Sequence, residues 1–117
     1  MIKISVCDDD EGQLTFFKQC FMEYNEKHKE KIEANFYQSV QSLLNEKKFS
    51  PDVYFLDIEL QDGNGLKLAG KIRTRNSKIP IVFITSHEEF MPEAFHVHAY
   101  QYLNEKKNAQ AVENVLN

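Results

Sequence analysis

From Val53 to Ile58 the chain is apolar at almost every position, broken only by Asp57 near its end. Apolar residues at odd and even positions alike mean a strand hidden on both faces, as in the middle of a parallel sheet covered by helices front and back. Ile81 to Thr85, entered through Pro80, has the same character. Around these runs the pattern alternates between extended and helical periods. Ile2 to Cys7 is a short β-branched strand, and Leu14, Phe17, Phe21 and Tyr24 then recur at helical spacing over Asp10 to Tyr24. Ile32, Ala34 and Phe36 alternate as a half-buried strand does; Val40, Leu43 and Leu44 mark a short helix begun near Ser39, and Ser50-Pro51 interrupts the chain before Val53. The cluster from Gln61 to Gly65 predicts a turn, and Leu66, Ala69 and Ile72 the stripe of a third helix. A weaker helix is expected over Glu88 to Val97, a last strand over Ala99 to Leu103 and a last helix over Asn108 to Leu116. Five strand and helix units in alternation predict a single α/β domain built on a doubly wound five-stranded parallel sheet.

Composition removes several classes of function. The 117 residues suffice for about one domain with one core, and 42% hydrophobic with 27% charged residues is ordinary for a globular chain. Fourteen Lys and Arg against eighteen Asp and Glu give a net charge of −4, so this domain alone is not expected to bind nucleic acid, which needs a positive face to displace counterions. No apolar stretch reaches the roughly 20 residues of a membrane span, and the N-terminus enters a strand pattern instead of a signal peptide. A cytoplasmic protein with no membrane partner is the expectation. Cys7 and Cys20 fall in a strand and a helix without CxxC spacing and read as packed thiols.

The acidic residues carry the chemistry. Asp8-Asp9-Asp10 ends the first strand and Asp57 ends the third. Strand tips of an open α/β sheet meet at one crevice, so carboxylates on neighbouring tips form an oxygen-lined site suited to a hard cation. Three carboxylates together repel, and a divalent cation relieves that repulsion. A plainer reading of Asp8 to Asp10 is a helix cap with acids at the positive end of the helix dipole, and Asp10 is expected to serve as cap.

Asp8-Asp9 after strand one, Asp57 after strand three with Gly63-x-Gly65 behind it, Thr85 ending strand four and Tyr102 in strand five resemble the receiver domain of bacterial two-component response regulators, over residues 1–117. Thr85-Ser86-His87, Ala94-Phe95 and Tyr100-x-Tyr102 are most similar to receivers attached to LytTR-type (LytR/AlgR-like) DNA-binding domains. The resemblance implies a flavodoxin-like receiver fold with strand order 2-1-3-4-5, an order for which a receiver is itself a standard illustration. It implies that Asp57 is the phosphoacceptor, taking phosphate from a sensor histidine kinase, and that Mg²⁺ is held by Asp9 and Asp57, by Asp8 through water, and by the backbone carbonyl of Glu59. Thr85 is then the switch residue and Tyr102 its coupled aromatic, while Glu59 and His87 flank the line of water attack and tune the phosphoryl lifetime. The chain would be no enzyme beyond Mg²⁺-dependent self-phosphorylation and slow autodephosphorylation. It would relay its state to a transcriptional output domain outside residues 1–117, and it has a possible homodimer face on helix four, strand five and helix five, where Phe90, Met91, Phe95 and Tyr100 lie.

One departure stands out. Receivers usually carry a Lys immediately before a Pro after strand five, where this chain has Glu105 and Lys106. Either the loop shifts so that Lys106 reaches the phosphate, or the site lacks that cation. The second case would weaken the site; Glu105 also supports an alternative, a phosphorylation-independent pseudo-receiver acting as a protein-binding module, and Lys106-Lys107 has a plain reading as a solvated turn. A Mg²⁺-dependent phosphatase is disfavoured because Asp57 has no Asp two residues later to act as acid and base. Thr85 and Tyr102 have plain readings as a strand end and a packed aromatic. His96 and His98 would share a face if they lay on a strand, but an ordinary surface pair is the simpler expectation.

Overall fold

A computed structural model describes residues 1–85, 89, 91–103 and 109–116, with backbone alone at 91, 95, 96, 101–103 and 109. The elements run β1 (Ile2–Cys7), α1 (Glu11–Lys27), β2 (Ile32–Tyr37), α2 (Val40–Leu44), β3 (Val53–Asp57), β4 (Glu59–Leu60), β5 (Gly63–Asn64), α3 (Gly65–Arg75), β6 (Ile81–Ile84), α4 (Met91–His96), β7 (Gln101–Leu103) and α5 (Ala109–Leu116). The five long strands form one parallel sheet ordered β2-β1-β3-β6-β7. Because β4 and β5 form a separate two-stranded antiparallel ribbon, this is the 2-1-3-4-5 order expected of the principal strands.

The apolar runs end up where their composition requires. Every residue of β6 is buried, and so are Phe55 and Leu56 of β3. Alternate side chains enter two different cores. Ile4, Val6, Phe55 and Val82 face α1 and α5, whereas Cys7, Leu56, Ile81 and Phe83 face α2, α3 and α4. On the first side Phe17 and Phe21 meet the Phe55 ring edge to face, with centroids 5.6 and 6.0 Å apart. Such pairs add about 0.5–1.5 kcal/mol beyond area burial. Val112 brings α5 onto the same core, and Glu113 approaches His28 at the end of α1 to 3.7 Å.

The helix ends follow local chemistry. Asp10 caps α1, accepting from Gly12 N at 2.9 Å, and Ser39 with Ser42 closes a capping box on α2. Asn64 caps α3, accepting from Leu66 N at 2.7 Å. The segment expected to be a plain turn after Asp57 differs: Glu59–Leu60 pairs with Gly63–Asn64, leaving only Gln61 and Asp62 at the tip. No helix among the described residues is long and apolar enough to cross a membrane.

Candidate functional site

Parallel pairing brings the acidic residues together. Cys7 of β1 is in register with Leu56 of β3, so one residue further along stand Asp8 and Asp57 on adjacent strands. Asp57 is in turn opposite Ile84 of β6, whose next residue is Thr85. One carboxylate oxygen from each of Asp8, Asp9 and Asp57 lies within 4.8 Å of the others. Asp8 and Asp57 are only 1% and 5% exposed, and Thr85 1%. Burying carboxylates this deeply beside one another is costly unless something balances their charge.

Backbone groups aim these side chains. Asp8 N donates to Tyr37 O at 2.9 Å, holding the end of β1 against β2, while the Asp8 carboxylate accepts from Asp10 N at 2.9 Å. Asp9 accepts from Gln61 N at 3.0 Å, which ties the loop after β1 to the tip of the ribbon after β3. Asp57 accepts from Glu59 N at 3.4 Å. The ribbon is held from its far side as well: Asp62 accepts from Val40 N at 2.9 Å and Gln41 N at 3.1 Å, the first N–H groups of α2. These bonds to the charged form hold the Asp62 carboxyl below the usual aspartate range.

The open side of the site is a cleft lined by Asp9, Asp10, Asp57, Glu59, Leu60, Gln61 and Thr85. Its described lining contains four carboxylates and no cation. The negative field reaches behind it: the Cys7 thiol is pushed up to about 12, first by burial and then by Asp62, Asp8, Asp57 and Asp9. Cys7 donates weakly to Ser39 O at 3.5 Å, and Cys20 is also a buried free thiol, so both pack as expected. An all-oxygen donor set, two of its carboxylates withdrawn from water, fits a hard divalent cation such as Mg²⁺ better than a soft metal.

The remaining sequence candidates are distributed as follows. Glu59 lines the cleft with its side chain exposed. Tyr102 sits in β7 opposite Phe83 of β6, its side chain outside the description. His87, Glu105 and Lys106 lie outside the described residues. His96 and His98 do not share a strand: His96 ends α4, His98 occupies the following turn with φ 54°, and β7 begins only at Gln101. That turn is shaped by Arg73, whose guanidinium donates to Val97 O and His98 O, both at 2.8 Å. Tyr100 is 63% exposed. Sequence reasoning missed Asn64, Asp62 and Arg73. Asn64 had a readable signal, an Asn just before an apolar helical stripe, whereas Asp62 bonds residues 21 and 22 positions earlier and Arg73 residues 24 and 25 positions later.

Structural similarity defines the class first. A CheY-like response regulator receiver domain protein from Methanospirillum hungatei superposes with a TM-score of 0.85 at 18% identity, covering 99% of this chain and 90% of that one. The BeF3-activated DrrB receiver domain gives 0.81 at 20% identity, over 99% and 94% of the two chains. The fold is thus that of receivers. In sequence, residues 4–117 match the response regulator receiver domain, and the chain belongs to that family. It is 31% identical over 103 residues to an uncharacterized response regulatory protein of Yersinia pestis, covering 88% of this chain and 42% of that protein. It is 41% identical over 68 residues to the sensory transduction protein LytR of Staphylococcus saprophyticus, covering 55% of this chain and 27% of that one. The chain therefore spans less than half the length of these curated relatives.

Proposed function

We propose that this chain is a phosphoryl-accepting receiver that takes phosphate from a sensor histidine kinase onto Asp57 and relays the change to a transcriptional output domain. The observation that carries the reading is the meeting of Asp8, Asp9 and Asp57 within 4.8 Å at the ends of β1 and β3, beside Thr85. An Asp57 oxygen attacks phosphorus, the N–P bond of the phosphohistidine breaks, and the imidazole nitrogen keeps the electron pair and takes up a proton. Mg²⁺, held by Asp9 and Asp57, by Asp8 through water, and by the Glu59 carbonyl, would neutralise charge on the transferring group. Thr85 supplies a hydroxyl at the rim and switches with Tyr102, Lys106 supplies the missing cation, and Glu59 with His87 sets the lifetime. Relatives named transcriptional regulatory protein LytR, of which this chain matches about a quarter, support an output domain that would contact DNA in the cytoplasm. The exposed Tyr100 at the entry to β7 supports a homodimer face on α4, β7 and α5.

The test is intact mass and gel filtration after incubation with acetyl phosphate and Mg²⁺, beside Asp57→Ala. The expected result is gain of one phosphoryl group by the wild type alone. No gain, with Mg²⁺ binding established and a cognate kinase also failing to label the chain, would establish the phosphorylation-independent pseudo-receiver instead.

A further inference from the structure

A second depression lies away from the acids, between the C-terminal ends of α2 and α3. It has a volume of about 330 Å³, toward the lower end of the roughly 300–1,000 Å³ of small-molecule sites. Its floor is apolar: Leu43, Ile72 and Ile79 are each less than a tenth exposed. Tyr54 of β3 stands half-buried in the wall, its phenol pushed up by burial while the nearby Arg75 charge pulls it down.

The rim is cationic on a chain of net charge −4. Lys47, Lys71 and Arg75 surround the opening, against Glu46 as the sole acid of the lining. Among the described residues none of these three cations is in an ion pair, since the salt bridges found there join Met1 to Glu30 and His28 to Glu113. Cations in the last turn of α3 are favoured by the helix dipole. That accounts for Arg75 but not for Lys71, a turn earlier, nor for Lys47, which comes from the segment after α2, nor for the apolar floor they encircle.

We propose that this cleft is a second ligand site, taking a small organic anion whose apolar or aromatic body lies on Leu43, Ile72 and Ile79 and whose carboxylate, sulfonate or phosphate is held by Lys47, Lys71 and Arg75. One element joins it to the acidic site: the last turn of α2 floors the cleft, and the first N–H groups of α2 are held by Asp62 of the ribbon behind Asp57. The proposal does not depend on phosphorylation.

Naphthalene-2-sulfonate is a suitable probe, followed by backbone amide NMR on the whole chain. Saturable shifts are expected at residues 43–54 and 71–79, with a dissociation constant of about 1 mM or below. The uncharged naphthalene-2-sulfonamide, or about 1 M salt, which cuts the screening length to about 3 Å, should each weaken binding about fivefold. Lys71→Gln with Arg75→Gln should weaken it by a similar factor while the other amides keep their positions, and Asp57→Asn should bind as the wild type does. Shifts that do not saturate, shifts scattered over the surface, or affinity indifferent to probe charge and salt would overturn the proposal. The charge and salt tests use the unaltered chain, so they hold even if the double variant misfolds.

Discussion

A Cβ at Gly65 would lie 2.0 Å from the backbone oxygen of Asp57. The first turn of α3 is pressed onto the peptide that carries Asp57, with Gly65 N donating to Ile58 O at 2.8 Å. No glycine has positive φ, so closeness and not backbone freedom demands glycine here. Gly65→Ala should cost about 1–3 kcal/mol in urea unfolding and weaken Mg²⁺ binding by displacing Asp57. Gly70, in the same helix with nothing within 4 Å of its would-be Cβ, is the control: Gly70→Ala should stabilise by about 0.5–1 kcal/mol. Equal effects at the two positions would refute the role given to the Asp57 contact.

The acidic triad predicts a stability response to metal. Ligand at about 100 times its dissociation constant stabilises a fold by about 2.7 kcal/mol. Mg²⁺ should therefore raise the melting temperature of the wild type, and EDTA reverse the rise. Asp9→Asn should blunt the response while leaving the metal-free protein at least as stable, because one repelling charge is gone. A calorimetric scan with and without Mg²⁺ checks both.

Asp62 makes a pH-dependent link. Its folded pKa is depressed, chiefly by the Val40 and Gln41 N–H groups, so its stabilisation is present above the unfolded aspartate pKa and is lost as pH falls through the lower folded value. Asp62→Ala should lower the melting temperature at neutral pH, and the gap to wild type should close in the acid range below ordinary aspartate titration. A gap that persists there would mean that packing, not the carboxylate, matters.

Arg73 bridges segments that strand and helix patterns leave unconnected. It donates to Ile79 O before β6 and to Val97 O and His98 O before β7. Lysine retains the charge but not the fork. Arg73→Lys should cost about 2 kcal/mol in chemical unfolding, with faster amide exchange at residues 97–100. Unchanged exchange there would show that the turn holds itself.

Cys7 and Cys20, pushed up to about 12 and about 11, should resist alkylation. Iodoacetamide near pH 8 should add nothing to the native protein and two adducts in urea, read by intact mass.

Where the sequence could be read, the physical cause was local. Phe55, Leu56, Val82 and Phe83 are buried in both cores because a strand covered on two faces has no polar positions to show. Leu14, Phe17 and Phe21 fell on one side of α1 by helical period, and Asp10 and Ser39 capped their helices through bonds spanning two or three residues. Asp8, Asp9 and Asp57 were recognisable because each follows an apolar run, and a strand tip is where a polar side chain can reach the crevice. The ribbon of Glu59–Leu60 with Gly63–Asn64 was legible only as a turn, since strands of two residues carry no period.

The sequence by itself determined the alternation of elements, the composition of both cores, the caps at Asp10 and Ser39, and which carboxylates stand at strand ends. Tertiary structure decided how close those carboxylates come, because the distance from Asp8 to Asp57 follows from the register of Cys7 with Leu56 and not from any property of either segment. It likewise decided that Asp62 caps a helix 22 residues earlier, that Arg73 holds a turn 24 residues later, and that three cations ring one apolar cleft. Local patterns arise from bonds and periods a few residues long, whereas these contacts exist only after separate segments have packed, when geometry sets what a side chain can reach.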